Sequence, residues 1–152
     1  MSNEIRFYSR SKKYFEFSNF SNNGFTIHNE FTGNLFYPTV EHYFQSLKFL
    51  DHSYSEKVRT ASTPGEAKRL GKSRQYPIRN DWDDTRLYVM MTAVEAKFSQ
   101  NPELEKMLVD TGDAVLIEDS PYDYFWGAGK NNTGQNMLGK LLMNYRDKLN
   151  RL

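Results

Sequence analysis

Cysteine is absent from the 152 residues, which excludes disulfides, thiolate metal sites and a cysteine nucleophile. Histidine is scarce: only His28, His42 and His52 occur, and no two of them stand in an HExxH or comparable metal-binding spacing. Charge of one sign is also missing. Twenty Lys and Arg against 19 Asp and Glu leave a net charge of +1, so no broad basic field exists to draw in nucleic acid, although a local phosphate pocket stays open. No apolar run approaches the length of a membrane span, and MSNEIRFYSR at the start lacks the apolar stretch of a signal peptide. The expected address is cytoplasmic, with no membrane association and no obligate protein partner.

What is present fits one globular domain spanning residues 1–152. Hydrophobic residues make up 38% and charged residues 26%, a balance that builds a core without staples. Aromatics reach 15%. Most must be packing, but aromatic rings beside polar residues also make flat walls for planar ligands.

Turn and cap signals order the chain. Asn23-Gly24 and Thr32-Gly33-Asn34 separate three short expected strands, Ile5–Tyr8, Phe25–His28 and Leu35–Tyr37. Thr39, after Pro38, caps an expected helix through about Leu50. Thr63-Pro64-Gly65-Glu66 reads as a capping box opening a short helix to about Gly71. The longest expected helix runs from Asp81 to about Ser99, with Asp83 and Asp84 at its positive end and Leu87, Met90, Met91, Val94 and Phe98 as its apolar side. Another spans Pro102–Asp110 and stops at Gly112. Ala114–Glu118 is β-rich, and a Gly/Asn loop (Gly127–Gly134) precedes a final helix from Gln135 to about Leu149. The expectation is an α+β fold, mostly helical, with a few short strands packed near a ligand pocket.

Three segments carry candidate chemistry. In TVEHYFQSLKF (residues 39–49), a helix puts Glu41, Gln45 and Lys48 on one face beside Val40, Phe44 and Leu47. That face is either a solvated polar stripe with a Glu–Lys contact or a wall that holds water at its carboxylate and phosphate at its ammonium. In residues 117–142, an expected strand ends in Glu118 and Asp119, followed by Tyr122, Tyr124, Phe125 and Trp126 and then the Gly/Asn loop. Backbone N–H groups near Gly134 and Asn136 are candidate anion ligands at a helix start, and Trp126 is either a core anchor or a pocket wall. In RNDWDDTRLYVM (79–90), Trp82 either faces the core or stacks on a base. Arg79 and Arg86 either contact phosphate, are solvated, or pair with Asp83 or Asp84.

Together FSNF (17–20), YPTVEHYFQSLKF (37–49), GKSRQYPIRNDWDDTRLYVM (71–90) and EDSPYDYFWGAGKNNTGQNMLGKLLM (118–143) resemble the YbiA-like, or NADAR, family over nearly the whole chain. Phe17 stands where members more often carry Leu, an apolar exchange. The resemblance implies an α+β fold around a ligand pocket and N-glycosidase activity on ribosylamino-pyrimidine 5-phosphates, intermediates of riboflavin biosynthesis. Some members instead remove ADP-ribose from guanine bases of nucleic acid. The implied partner is therefore a phosphorylated ribose-containing small molecule or an ADP-ribosylated guanine; a non-catalytic ADP-ribose sensor is the rival from another class. The implied catalytic positions are Glu41, Trp82 and Asp119, with Lys48, Arg86 and Trp126 lining the pocket.

These assignments make a mechanism. Cleaving a C1–N bond builds oxocarbenium charge on ribose while the leaving nitrogen needs a proton, work for two carboxylates by analogy with O-glycosides. Glu41 deprotonates the attacking water; Asp119 stabilises the cationic sugar or delivers the proton, and the two roles are interchangeable at this level. Trp82 stacks on the leaving group, Lys48 and Arg86 hold the 5-phosphate, and Ser18, Asn19 and Phe20 are candidates to contact ribose or base. This chemistry calls for no metal and no redox cofactor.

Overall fold

Caps and turns cut the chain into short pieces. The computed structural model describes residues 3–152, which form four short strands and six α-helices, an α+β composition dominated by helix. Two compact units divide them: residues up to Ser18 with Asn101–Leu152, and Asn19–Gln100.

In the first unit, β1 (Glu4–Phe7) pairs in parallel with β4 (Val115–Glu118), with Glu4 opposite Val115 and Phe7 opposite Glu118. A parallel pair needs a long crossover, and here the intervening chain contains the whole second unit. Helix α5 (Pro102–Val109) opens on a proline with Glu103 and Glu105 in its first turn, both suited to the positive end of the helix. Helix α6 (Met137–Asn150) packs on β4 and α5, burying Leu138 and Leu142, while Phe7, Leu108 and Leu116 are fully buried in the same unit. The expected start of α6 at Gln135 is two residues early, because Asn136 takes a left-handed conformation (φ 52°) and the helix begins after it.

In the second unit, β2 (Phe25–Asn29) and β3 (Gly33–Tyr37) form an antiparallel hairpin whose Phe25 and Tyr37 face one another across the ladder. Four helices follow: α1 (Val40–Ser46), α2 (His52–Arg59), α3 (Pro64–Lys72) and α4 (Trp82–Ser99). The helix expected through Leu50 ends at Ser46, and α2 is an addition. Asp51 is the reason for the second start, since its side chain accepts from the Tyr54 N–H as a cap. Phe49, Tyr54, Val58, Ala67 and Leu70 pack α2 and α3 together, and the Tyr54 hydroxyl donates to the Leu70 carbonyl at 2.6 Å.

The inward face of α4 differs from the expectation. Val89, Met90, Ala93, Val94, Lys97 and Phe98 are buried, whereas Leu87 and Met91 remain 39% and 37% exposed. The true stripe includes a small residue and a lysine whose stem is apolar, which a search for large hydrophobes passes over. Among the described residues no helix is long and apolar enough to cross a membrane.

Candidate functional site

The corner where α1 begins is fixed by its cap. Thr39 Oγ1 accepts from the His42 N–H at 3.1 Å, and its hydroxyl lies 2.8 Å from His42 Nδ1. Because His42 Nε2 faces the Ala61 carbonyl at 2.9 Å, Nε2 carries the proton and Nδ1 accepts. Burial lowers the His42 pKa, so this histidine is a neutral structural link between α1 and the end of α2. The FSNF segment docks at the same place: the Asn19 carbonyl accepts from the Glu41 N–H at 3.1 Å, and Asn19 Nδ2 lies 3.7 Å from Met90 Sδ.

Helix α1 is buried along its entire length, which removes the solvated-stripe reading for its first two polar members. Glu41 is 7% and Gln45 6% exposed, and Gln45 Nε2 donates to Glu41 Oε1 at 2.7 Å. A carboxylate only accepts, so the amide N–H side must face it. Lys48 lies two residues beyond α1, half-buried, with Nζ 5.8 Å from the centre of the Phe44 ring. Burial pushes the Lys48 pKa down to about 8; Arg74, Lys72 and Lys68 add to the fall, and Glu41 opposes it. Phe44 also packs on Trp82, ring centres 4.9 Å apart at 60°. Trp82 is buried, so a good part of its surface serves the core.

The cations around Lys48 come from α3 and the turn after it. Lys68 and Lys72 occupy successive turns, Lys68 Nζ lies 5.9 Å from the Phe20 ring centre, and Arg74 donates to the Gly71 carbonyl at 2.8 Å. Arg79 is engaged elsewhere: it grips Asp81 with two bonds of 2.6 and 3.0 Å, a partner different from the expected Asp83 or Asp84. Arg86, one turn beyond Trp82, is partly exposed. The second unit therefore gathers Asn19, Phe20, Glu41, Lys48 and Trp82, with Gln45 and Phe44 between them.

Asp119, Trp126 and Ser18 belong to the first unit. Asp119 extends the strand pairing, its N–H donating to the Phe7 carbonyl at 2.8 Å. Its carboxylate accepts from Arg6 Nη1 at 2.7 Å with the side chain 49% exposed, and Arg6 also holds Glu4 at 3.0 Å. The hydrogen bond to Glu4, with that to Asp119, raises the Arg6 pKa despite some burial. Ser18 is buried, its N–H donating to the Phe15 carbonyl. Trp126 is a buried anchor, its N–H bonded to Asp123 and its ring edge-on to Phe125 at 4.8 Å.

The loop before α6 does not offer its amides to an anion. The Gly134 N–H donates to the Ala128 carbonyl at 2.7 Å, Asn136 to Gly127 at 3.1 Å, Met137 to Phe125 at 3.0 Å and Leu138 to Trp126 at 3.1 Å. The donors of Asn136, Met137 and Leu138 at the helix start are thus taken by the folded-back loop. Asn136 adds a side-chain staple, accepting from the Glu118 N–H and donating to the Leu116 carbonyl, each at 2.9 Å.

Among the described residues no group of three His, Asp or Glu is placed to hold a metal. A cavity of about 580 Å³ in the first unit, between Lys12, Tyr14, Glu103 and Lys106, contains none of the candidate residues. Sequence reading passed over Arg6, Lys68, Lys72 and Arg74, all ordinary surface charges in one dimension. It also passed over Gly71, whose only signal is its place at the head of the GKSRQYPIRN segment.

The profile of the NADAR domain matches residues 6–150. The chain is 43% identical over 145 residues to N-glycosidase YbiA of Shigella flexneri, covering 95% of this chain and 88% of that protein. Maize riboflavin biosynthesis protein PYRR, chloroplastic, is 39% identical over 157 residues, which cover 97% of this chain but 25% of the plant protein. The NMR structure of Escherichia coli YbiA superposes with a TM-score of 0.83 at 41% identity, covering 98% of this chain and 86% of that one.

Proposed function

Because this chain belongs to the NADAR-domain family and is a hydrolase of N-glycosyl bonds, we propose that its substrate is a ribosylamino-pyrimidine 5-phosphate of riboflavin biosynthesis, cut between ribose C1 and nitrogen. The observation that carries the substrate reading is Lys48: a half-buried ammonium held beyond the end of the helix that carries the buried Glu41. A carboxylate and a desolvated cation presented by one short segment suit a ligand with a reacting carbon at one end and a phosphate at the other. The match to plant riboflavin biosynthesis proteins supports the same class.

In this reading Glu41 takes a proton from water as the water oxygen bonds to C1. The C1–N bond breaks, its electron pair and a proton go to nitrogen, and ribose 5-phosphate and the free amine leave. Asp119, by its family position, either stabilises the cationic sugar or supplies the proton to nitrogen. Trp82 holds the planar leaving group. Lys48 holds the phosphate, helped by Arg86. Ser18, Asn19 and Phe20 contact ribose or base, Trp126 lines the pocket by its family position, and residues 1–152 act as one catalytic domain.

One observation favours a second reading, removal of ADP-ribose from guanine. Lys68, Lys72 and Arg74 add positive charge beside Lys48, more than one phosphate requires. Parallel product assays separate the two. Ribose 5-phosphate released from the ribosylamino-pyrimidine, with an ADP-ribosylated guanine oligonucleotide left intact, is the expected result. ADP-ribose released from the oligonucleotide alone would reject the metabolite reading.

A further inference from the structure

Gln45 is a buried amide with an uneven set of contacts. Its Nε2 donates to Glu41 Oε1 at 2.7 Å, while its Oε1 is buried with no hydrogen-bond donor among the described residues. A methionine or leucine would fill the same volume without burying an unpaired acceptor. What the amide supplies that a hydrocarbon cannot is the bond to Glu41. Space for it comes from α3. A Cβ built on Gly71 would fall inside the Gln45 amide, 2.6 Å from Cδ and closer still to Oε1. No residue larger than glycine fits there while Gln45 keeps its present rotamer. Gly71 is therefore matched to Gln45, and Gln45 to one oxygen of Glu41.

From this contact chain we infer that Gln45 is a positioning residue for the reaction, seated by Gly71 and holding the Glu41 carboxylate in the orientation that activates water. The inference rests on the reading of Glu41 as the water-activating group. Gln45 holds one carboxylate oxygen and so restrains the plane of the whole carboxylate. A free Glu side chain has three torsions to lose before it can act, and the amide removes the last of them in the ground state.

The test uses the full chain and four variants: Gln45→Met, Gln45→Ala, Gly71→Ala and the Gln45→Ala/Gly71→Ala double variant. With the ribosylamino-pyrimidine 5-phosphate as substrate, Gln45→Met should lower kcat about ten- to a hundredfold with KM changed less than threefold, the loss of one hydrogen bond to a charged group. Gly71→Ala should lower kcat about tenfold in the parent chain and cost clearly less in the Gln45→Ala background, because the clashing amide is gone and only the Cβ of residue 45, 3.0 Å from the added methyl, remains. The second readout needs no turnover. The Gln45 side-chain amide proton that faces Glu41 should resonate downfield in the parent and move upfield in Gly71→Ala. A Gln45→Met variant with parental kcat overturns the inference, as do an unmoved amide resonance in Gly71→Ala and equal Gly71→Ala losses in both backgrounds. Failure of the underlying reading looks different: the parent and Glu41→Gln would turn over alike, while the amide resonance would still report whether Gly71 seats Gln45 on Glu41.

Discussion

Lys48 shows how much a single residue depends on surroundings that its spacing does not reveal. A solvated lysine is charged throughout the working range, but burial beside three other cations brings its pKa to about 8. The sign follows directly. A phosphate needs the charged form, and the free protein loses that form as pH rises through about 8. KM for the phosphorylated substrate should climb as pH rises above about 8, while Lys48→Arg should remove that rise because a guanidinium does not titrate there. An initial-rate series across that range checks it; a pH-independent KM in the parent would remove Lys48 from the phosphate. Glu41 and Gln45 were legible in the sequence as members of one helical face, whereas Lys48, expected on the same face, lies past the end of α1. The burial of Glu41 and Gln45 was not, because α1 is covered by elements distant in the chain. Gly71 was invisible for a stronger reason: its meaning lies in the position of one side chain on another helix.

At the scale of elements, caps and loop chemistry decide where the candidate residues stand. Thr63 opens α3 by accepting from the Glu66 N–H at 3.0 Å, while the Glu66 carboxylate is turned to Arg69. Thr63→Ala should cost about 1 kcal/mol in a denaturant melt, with the effect centred on α3 and so on Gly71 and Lys68. The loop before α6 depends more heavily on one side chain. Asn136→Leu removes two hydrogen bonds to β4 and forces a left-handed backbone on a residue ill suited to it. A loss of about 2–3 kcal/mol is expected in the same measurement. Thr63, Pro64 and Pro102 marked their helices plainly, since capping is local chemistry. The break between α1 and α2 is equally local, since Asp51 caps α2 through the Tyr54 N–H three residues on, and it was overlooked because the helical pattern runs on past Ser46. The inward face of α4 was not local: it turns on Ala93 and Lys97 being covered by tertiary packing. The Gly/Asn loop misled in another way: Gly134 serves a close approach to the backbone of Gly127 and Ala128, and the amides of Gly134 and Asn136 are already bonded.

For the whole molecule, balanced charge and the lack of a metal-ligand cluster among the described residues set the expected response to conditions. A net charge of +1 provides no long-range steering, so kcat/KM for a small phosphorylated substrate should fall only shallowly with salt between about 50 and 200 mM. A strand of nucleic acid held by several phosphate contacts would lose far more over that range. Dialysis against EDTA should leave turnover unchanged; a loss restored by a divalent cation would contradict acid–base catalysis by side chains alone. On the proposed mechanism, the buried carboxylate of Glu41 activates the water that cleaves the N-glycosyl bond. The most direct measurement is kcat for Glu41→Gln against the parent on the same substrate, with circular dichroism confirming that both are folded. A fall of about 10²–10⁴ with little change in KM is predicted, the usual worth of a positioned general base. A folded Glu41→Gln protein that turns over at nearly the parental rate would contradict the account.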